Sequence, residues 1–375
     1  MNFSIKKDIL LDGLLNVSRA LSTKNLIPIL SGIKFELKKN GLYLTGSDND
    51  ITIQSFIENK KENISNLENE GSIVIQGKYI VEIIRKLPDE IVNIELIDGL
   101  KVLIYTKNAK FNLNGMDPTE YPKLDLQTNN KPIILDKKIL KNIVNQTSFA
   151  ASNQETRPLL TGINFKISNN KLECIATDSY RLAKKIIKLD GKNEDNNIII
   201  PSRNLVELTK ILLDNDDEKV EMYVFSNKII FKFDNIIFQS RLLNGTYPDT
   251  SKLIPEEYSL SIITNPYELY DVIDRASLLM SDREKNIVNL DINKNNVKIT
   301  SNSPEIGKVE ETMDVENENK ETLKISFSAT YMMESLRAIQ SDRVKILFNG
   351  EMKPIILKNP DDDNLIQLIL PIRTY

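Results

Sequence analysis

The chain has 375 residues, 49 Lys and Arg against 53 Asp and Glu, a net charge of −4 and 41% apolar residues. That length exceeds what one small core needs and points to two or three domains of an ordinary soluble globular protein. The slightly negative charge excludes a molecule that binds nucleic acid over its whole surface, though not one with a basic face. Histidine is absent, which removes Ser-His-Asp and Cys-His catalysis and histidine-bound metals. A single cysteine, Cys174, rules out an internal disulfide framework and suggests a reducing compartment. It sits in an alternating strand pattern and reads as a buried thiol. The start, MNFSIKKDIL, lacks the apolar stretch of a signal peptide. No run approaches the 18 or so apolar residues of a membrane span, so the expected location is cytoplasmic, with no membrane partner.

In chain order, an apolar-periodic helix is expected at KDILLDGLLNVSRAL, with Leu10, Leu14 and Leu21 on one face and Leu11 and Leu15 beside it. A β-hairpin follows at GIKFELKKNGLYLTGSDND, then a strand running into a helix at GSIVIQGKYIVEIIRKL. Alternating strands close the segment at VNIELIDGLKVLIYTKNAKFNLNG. The order starts again with the helix DKKILKNIVNQTSFA and the hairpin GINFKISNNKLECIATDSYRL. NIIIPSRNLVELTKILL and VEMYVFSNKIIFKFDNIIFQSRLLNG follow. It starts a third time at NPYELYDVIDRASLL and passes through LKISFSATYMMESLRAI to the terminal strands. The turns KNAK, SNK and DN have hairpin chemistry.

The recurrence is a repeat. Shifted by 130, residues 7–48 meet residues 137–178 with 14 identities in 42 positions, where chance gives roughly one in ten. Shifted by 255, Ile33, Phe35, Leu37, Leu42 and Leu44 meet Val288, Leu290, Ile292, Val297 and Ile299. The period is too long for a solenoid. The fold class is therefore α+β: three domains of one fold, each with two helices and antiparallel sheets. They span 1–127, 128–256 and 257–375, with boundaries at polar DLQTNNK (125–131) and Pro-marked IPEEY (254–258).

Catalytic signatures are missing. Gly71 to Tyr79 has the wrong spacing for a P-loop, and no G-x-G-x-x-G follows a strand. The acidic runs Asp214–Glu218 and Asp361–Asp363 read as solvated turns rather than a metal site. No catalytic residue, metal or cofactor is expected. Cations gather on or beside the helices: Lys6, Lys7, Arg19, Lys24, Lys78, Arg85 and Lys86; then Lys137, Lys138, Lys141, Arg203 and Lys210; then Arg275, Arg283, Lys285 and Arg337. They are an ordinary wet face or, if all helices share one space, a cradle for a phosphate backbone that reads no bases. Few aromatics interleave, which favours duplex over single strands.

ATDSYRLA at 176–183 resembles the Ala-Thr-Asp-x-His-Arg-Leu-Ala of the bacterial sliding clamps, the β subunit family of DNA polymerase III. ETRPLLTGINF, LIPIL, NGTYPD and the terminal LILPIRTY fit the same family, end to end. Tyr180 stands where the family usually has His. The resemblance implies the DNA-clamp fold and a non-enzymatic processivity factor. Two copies would form a head-to-tail ring around double-stranded DNA and slide on it. For DNA contact it implies Lys24 and Gln154, and more weakly Lys78, Arg85 and Arg203. A hydrophobic cleft would take short peptides of the replicative polymerase, the clamp loader and repair proteins. Position by position that cleft is Leu160, Thr177, Ser179, Tyr180, Arg181, Leu182, Pro248, Leu253, Pro354, Leu368, Ile369, Leu370, Pro371, Ile372 and Arg373. The dimer interface would set Phe111 and Leu113 against Leu278 and Leu279, with Lys78 near Glu305, Glu310 and Glu311. Competing roles are a buried salt bridge for Arg181, plain core for Leu278 and Leu279, and a frayed last strand for Pro371-Ile372-Arg373. Two other functions compete: a triplicated protein scaffold that never surrounds DNA, and an enzyme using carboxylates or lysine alone. The second would need an acid cluster confined to one domain, which the repeats do not leave room for.

Overall fold

The computed structural model describes residues 1–22, 27–97, 99–212, 218–279 and 287–373. Lys24, Leu26, Asp214, Arg283, Lys285, Thr374 and Tyr375 lie outside them. The first third contains β1 (Asn2–Lys6), α1 (Lys7–Ser18), β2 (Gly32–Lys38), β3 (Gly41–Ser47), β4 (Ile51–Glu58), β5 (Ile64–Asn69), β6 (Gly71–Gln76), α2 (Gly77–Lys86), β7 (Ile91–Leu96), β8 (Lys101–Tyr105) and β9 (Lys110–Asn114). The middle third contains β10 (Ile133–Asp136), α3 (Lys137–Thr147), β11 (Gly162–Ser168), β12 (Lys171–Thr177), β13 (Arg181–Lys188), β14 (Asn196–Pro201), α4 (Ser202–Thr209), β15 (Lys219–Val224), β16 (Lys228–Phe233) and β17 (Ile236–Arg241). The last third contains β18 (Leu260–Thr264), α5 (Pro266–Ser277), β19 (Ile287–Ile292), β20 (Asn296–Ser303), β21 (Gly307–Asp314), β22 (Glu316–Asn317), β23 (Leu323–Ser328), α6 (Ala329–Ile339), β24 (Val344–Phe348), β25 (Ile355–Asn359) and β26 (Asp362–Ile369).

Each third thus repeats one order, with two corrections to the sequence reading. No helix opens a third: β1, β10 and β18 come first. These strands are short and run into the helix with at most one residue between, so their alternation merges with the helical period. Leu21 is not on the face of α1, which stops at Ser18 and buries Leu10, Leu14 and Val17. The hairpin turn at Asn169-Asn170 has φ of 52° and 56°, the left-handed pair that a two-residue hairpin loop requires and asparagine tolerates.

The thirds do not keep their sheets to themselves. The chain packs as two compact units, 1–138 with 207–242, and 139–206 with 243–375. The first unit holds the sheets β5-β1-β7-β8-β9 and β10-β15-β16-β17-β4-β3-β2-β6. The second holds β14-β11-β12-β13-β26-β25-β24-β18-β22 and β21-β20-β19-β23. β17 pairs with β4 from Ile236↔Ser55 to Ser240↔Ile51, and β13 pairs with β26 from Arg181↔Ile369 to Lys185↔Leu365. Lys185 also bridges to Asp362. Burial opposes that carboxylate, but the bonds from Lys185 and from the Asn364 N–H outweigh it and hold Asp362 below its usual range. In the last third the inner faces of α5 and α6 close over Val288, Leu290, Phe327, Phe348 and Leu365, each side chain contributing about 1.5–3 kcal/mol by leaving water.

Cys174 is fully buried, and burial pushes its thiol well up, with Glu173 adding to the effect. Among the described residues no helix is long and apolar enough to cross a membrane.

Lys137 departs most from the sequence reading. It is not on a wet face: only 2% of its side chain is exposed, its ammonium is 2.6 Å from Asp234 and paired with Glu218, and it lies 5.5 Å from the Phe233 ring centre. It ties the start of α3 to the strands β15–β17, and Glu218, read as part of a solvated turn, is its partner. Burial lowers its proton affinity, but the two carboxylates outweigh it and raise the value above 10.5. A raised value means stabilisation fully present below the unfolded-state pKa and lost as pH rises through the folded one. Lys137→Met is expected to cost about 1.5–3 kcal/mol in denaturant unfolding. The difference from the parent should stay flat between roughly pH 6 and 9 and shrink only above the ordinary lysine value. A variant as stable as the parent at pH 7 would show that the triad contributes nothing.

Candidate functional site

A groove of about 760 Å³ opens in the middle third. One wall is the short helical turn Pro158–Thr161, presenting Pro158, Leu159 and Leu160, with Arg157 at its head. The end of β12 supplies Thr177 and Ser179. The loop after β17 supplies Leu243, Asn244, Pro248, Asp249, Thr250 and Leu253. Beneath lies a buried apolar cluster containing Leu160, Ile175, Leu182, Ile199, Tyr247 and Leu368. Tyr247 fixes the loop to the strand: its hydroxyl accepts the buried N–H of Thr177 at 3.1 Å. Burial pushes that hydroxyl's pKa well above the tyrosine range, so it stays neutral. Gly245, at φ 144°, takes a turn closed to other residues, and an added Cβ would meet Leu159 at 2.9 Å. The surface is an apolar socket with one cation and one anion at its rim, a shape that takes apolar anchors of an extended chain.

Strand alternation sorts the candidate residues. Leu182 pairs with Leu368 and with Thr177, and this face forms the socket's floor. Arg181 pairs with Ile369, so both point the other way: Ile369 enters the core of the last third. The buried guanidinium of Arg181 reaches Asp178 at 3.0 Å, pairs with Glu334 of α6, and lies 5.4 Å and 4.3 Å from the ring centres of Phe149 and Tyr331. Tyr180 and Leu370 are exposed outside the groove lining, and Leu370 donates its N–H to the Tyr180 carbonyl at 2.9 Å. Pro354 and Pro371 are half-buried outside the groove lining. Ile372 and Arg373 border a different, polar basin with Lys298, Lys308 and Glu310. Their segment is tied down, with Ile372 donating to the Ser326 carbonyl at 2.7 Å.

Among the described residues, two of the eight sheet edges, β9 and β21, carry or adjoin the candidate interface residues. β9 edges its sheet, and Phe111 and Leu113 lie on the core face opposite Ile104 and Val102, part-exposed because no strand follows. β21 edges another sheet, with Val309 and Met313 packed on the core of the last third, and Leu278, just after α5, is 74% exposed. Leu279 is half-buried against Gly307. Glu305 is exposed before β21; Glu310 pairs with Lys298 and Lys308, and Glu311 takes a two-pronged bond from Arg275. Among the cations, Lys78 and Arg203 are exposed in the first turns of α2 and α4. Arg85 is exposed but paired with Glu82, and Gln154 is exposed in the loop after α3.

Three family models match in order: DNA polymerase III beta subunit, N-terminal domain, over residues 1–125, central domain over 134–249, and C-terminal domain over 251–373. The beta sliding clamp of Staphylococcus epidermidis is 44% identical over 377 residues, with 100% of both chains covered. The crystal structure of the DNA polymerase sliding clamp from Bacillus subtilis matches with a TM-score of 0.96 at 43% identity. That of the beta subunit from DNA polymerase of Streptococcus pyogenes matches with 0.94 at 36%. Both cover 100% of each chain. The chain belongs to the DNA polymerase III β subunit family.

For this β subunit the motif reading named five of the groove's lining residues, Leu160, Thr177, Ser179, Pro248 and Leu253, and two of its floor, Leu182 and Leu368. It missed Arg157, Pro158, Leu159, Leu243, Asn244, Asp249 and Thr250. For the first five the signal was present: ETRPLL and LLNG are apolar pairs beside turn residues, and both flank the pieces that were named. Tyr247 lies within NGTYPD, a stretch whose spacing alone assigns it no role. Tyr247→Phe leaves the buried Thr177 N–H unpaired and is expected to cost about 1–3 kcal/mol in unfolding free energy measured with urea. An unchanged midpoint and slope would count against that bond.

Proposed function

We propose that this β subunit works as a DNA sliding clamp, a non-catalytic cytoplasmic processivity factor of DNA replication. Its domains are the repeats 1–127, 128–256 and 257–375. Two copies join head to tail, the β9 end of one against the β21 end of the other, and the closed ring surrounds duplex DNA and slides along it. The replicative polymerase, the clamp loader and repair proteins attach by short peptides in the socket at Leu160, Thr177, Pro248 and Leu253. A separate ATPase must open the ring, since this chain has no P-loop.

The observation that carries the reading is a pair of edge strands with exposed apolar side chains: Phe111 on β9, and Leu278 beside Leu279, which meets Gly307 at the start of β21. Other repeats join their edges by β17–β4 and β13–β26 pairing, and an edge left bare is a site for another strand. One end offers Phe111 and Leu113 with Lys110. The other offers Leu278, Val309 and Met313, a match in apolar character; the acids there, Glu310 and Glu311, already hold cations of their own chain. For DNA, first-turn cations add support. A cation near a helix N-terminus is disfavoured by the helix dipole, yet Lys78, Lys138 and Arg203 sit in first turns. A phosphate there relieves the conflict. Lys24 and Gln154 are 130 residues apart in the repeat and supply equivalent contacts.

The decisive experiment loads the protein onto nicked circular plasmid with a clamp loader and ATP, then linearises half. Retention on circles through high salt, with loss from cut ends, is expected. Leu278→Asp should leave folding intact, because the side chain is exposed, yet give monomers in sedimentation and no retention on circles. Equal stripping from both topologies would overturn encirclement. For the socket, Leu253→Asp is expected to weaken an apolar-anchored peptide about tenfold or more while changing unfolding free energy by less than about 0.5 kcal/mol. Unchanged peptide affinity would move the site elsewhere.

A further inference from the structure

The polar turn beside the socket has a counterpart that serves as an internal control. In the first third, Asp48 Oδ1 accepts the N–H groups of Asp50 at 3.0 Å and Ile51 at 2.8 Å, with Asn49 at φ 77°. In the middle third, Asp178 Oδ1 accepts those of Tyr180 at 2.9 Å and Arg181 at 3.0 Å, with Ser179 at φ 81°. These are the same turn, 130 residues apart. The residue that ends it differs: isoleucine at 51, 4% exposed, and arginine at 181, 8% exposed. The turn therefore closes without an arginine. Burying a guanidinium is costly unless it is fully paired, and an apolar residue of similar bulk often serves stability as well. Arg181 is not accounted for by folding of the turn.

What Arg181 adds is an attachment. Its Nε holds the second oxygen of Asp178, its Nη1 holds Glu334 on α6, and Phe149 and Tyr331 flank the guanidinium. A planar fork suits two carboxylates at once, which a lysine ammonium does not. We propose that Arg181 is a positioning residue of the socket: it touches no bound peptide, but ties the wall formed by Thr177 and Ser179 to α6 through Asp178 and Glu334. The proposal rests on the peptide-socket reading above. It makes Glu334, which lies outside the groove, part of what sets peptide affinity. Without this strut the wall is held by its own backbone bonds and by Arg157, whose Nη1 donates to Ser179 Oγ at 3.0 Å. A wall that is not fixed in advance must be ordered by the ligand, at a cost in affinity.

The test is fluorescence anisotropy on the full chain with a fluorescein-labelled hexapeptide carrying Leu and Phe anchors, beside thermal unfolding. Glu334→Gln and Arg181→Ile, the residue of the first repeat, are each expected to weaken the peptide on the order of tenfold. The double variant should be no weaker than the poorer single one, and all should melt cooperatively. Glu334→Gln binding like the parent overturns the strut, whatever Arg181→Ile does, because Arg181 would then act by direct contact or by packing alone. A lowered melting temperature with unchanged affinity overturns it equally. If the parent itself ignores the hexapeptide, the socket reading fails first and the strut with it.

Discussion

Backbone pairing between repeats is the constraint on which the rest of this structure depends. A three-strand meander with one added strand leaves an edge of unpaired N–H and C=O groups, and such edges must be covered or paired. β4 and β13, the last strands of two equivalent meanders, solve this by pairing with β17 and β26. The pairing fixes register, and register fixes faces. Once Leu182 stands opposite Leu368, Arg181 must stand opposite Ile369, on the other side of the sheet. The socket's floor and the buried ion pair are two faces of one ladder.

Equivalent seams have been put to different ends. In the first repeat, Tyr121-Pro122 corresponds to Tyr247-Pro248, and Tyr121 packs on Ile29, Leu30 and Val74 much as Tyr247 packs on Leu160 and Ile199. There the cluster is capped by Met116 and Leu124. Position 52, which matches Leu182, is a threonine bonded to Ser47 at 2.8 Å. In the middle repeat position 182 is a leucine of the buried cluster, and Leu160 of that cluster lines the groove. The Asp-anchored turn is kept in both.

The hairpins, the threefold order and the turn residues were legible from local chemistry: alternation, helical period, and Asn or Gly where φ is positive. The seams were not, because nothing local in β4 says that its partner lies in the next repeat. Lys137 was misread for the same reason. Its first-turn position resembles that of Lys138, and only Glu218 and Asp234, more than 80 residues later, reveal it as buried. Arg181 is the instructive case. Adjacent residues of a strand point to opposite faces, so Arg181 and Leu182 face opposite sides of β13. That conclusion was available from the motif's own spacing, but only once 181–188 was known to be a strand.

The surface charges bear on how such a protein stays on DNA. Among the described residues, several helix cations are matched at home: Arg19 and Lys210 with Glu207, Arg85 and Lys86 with Glu82, Arg275 with Glu311. Exposed pairs of this kind contribute about 0–1 kcal/mol each, so they do little for stability, but they cancel much of the positive potential. Affinity that rests on phosphate neutralisation scales with the number of cations engaged and falls steeply with salt. Cations that already have carboxylate partners grip phosphate weakly, which is what free sliding needs and what persistent binding cannot use. Retention by topology, as in the proposed ring, does not depend on such a grip.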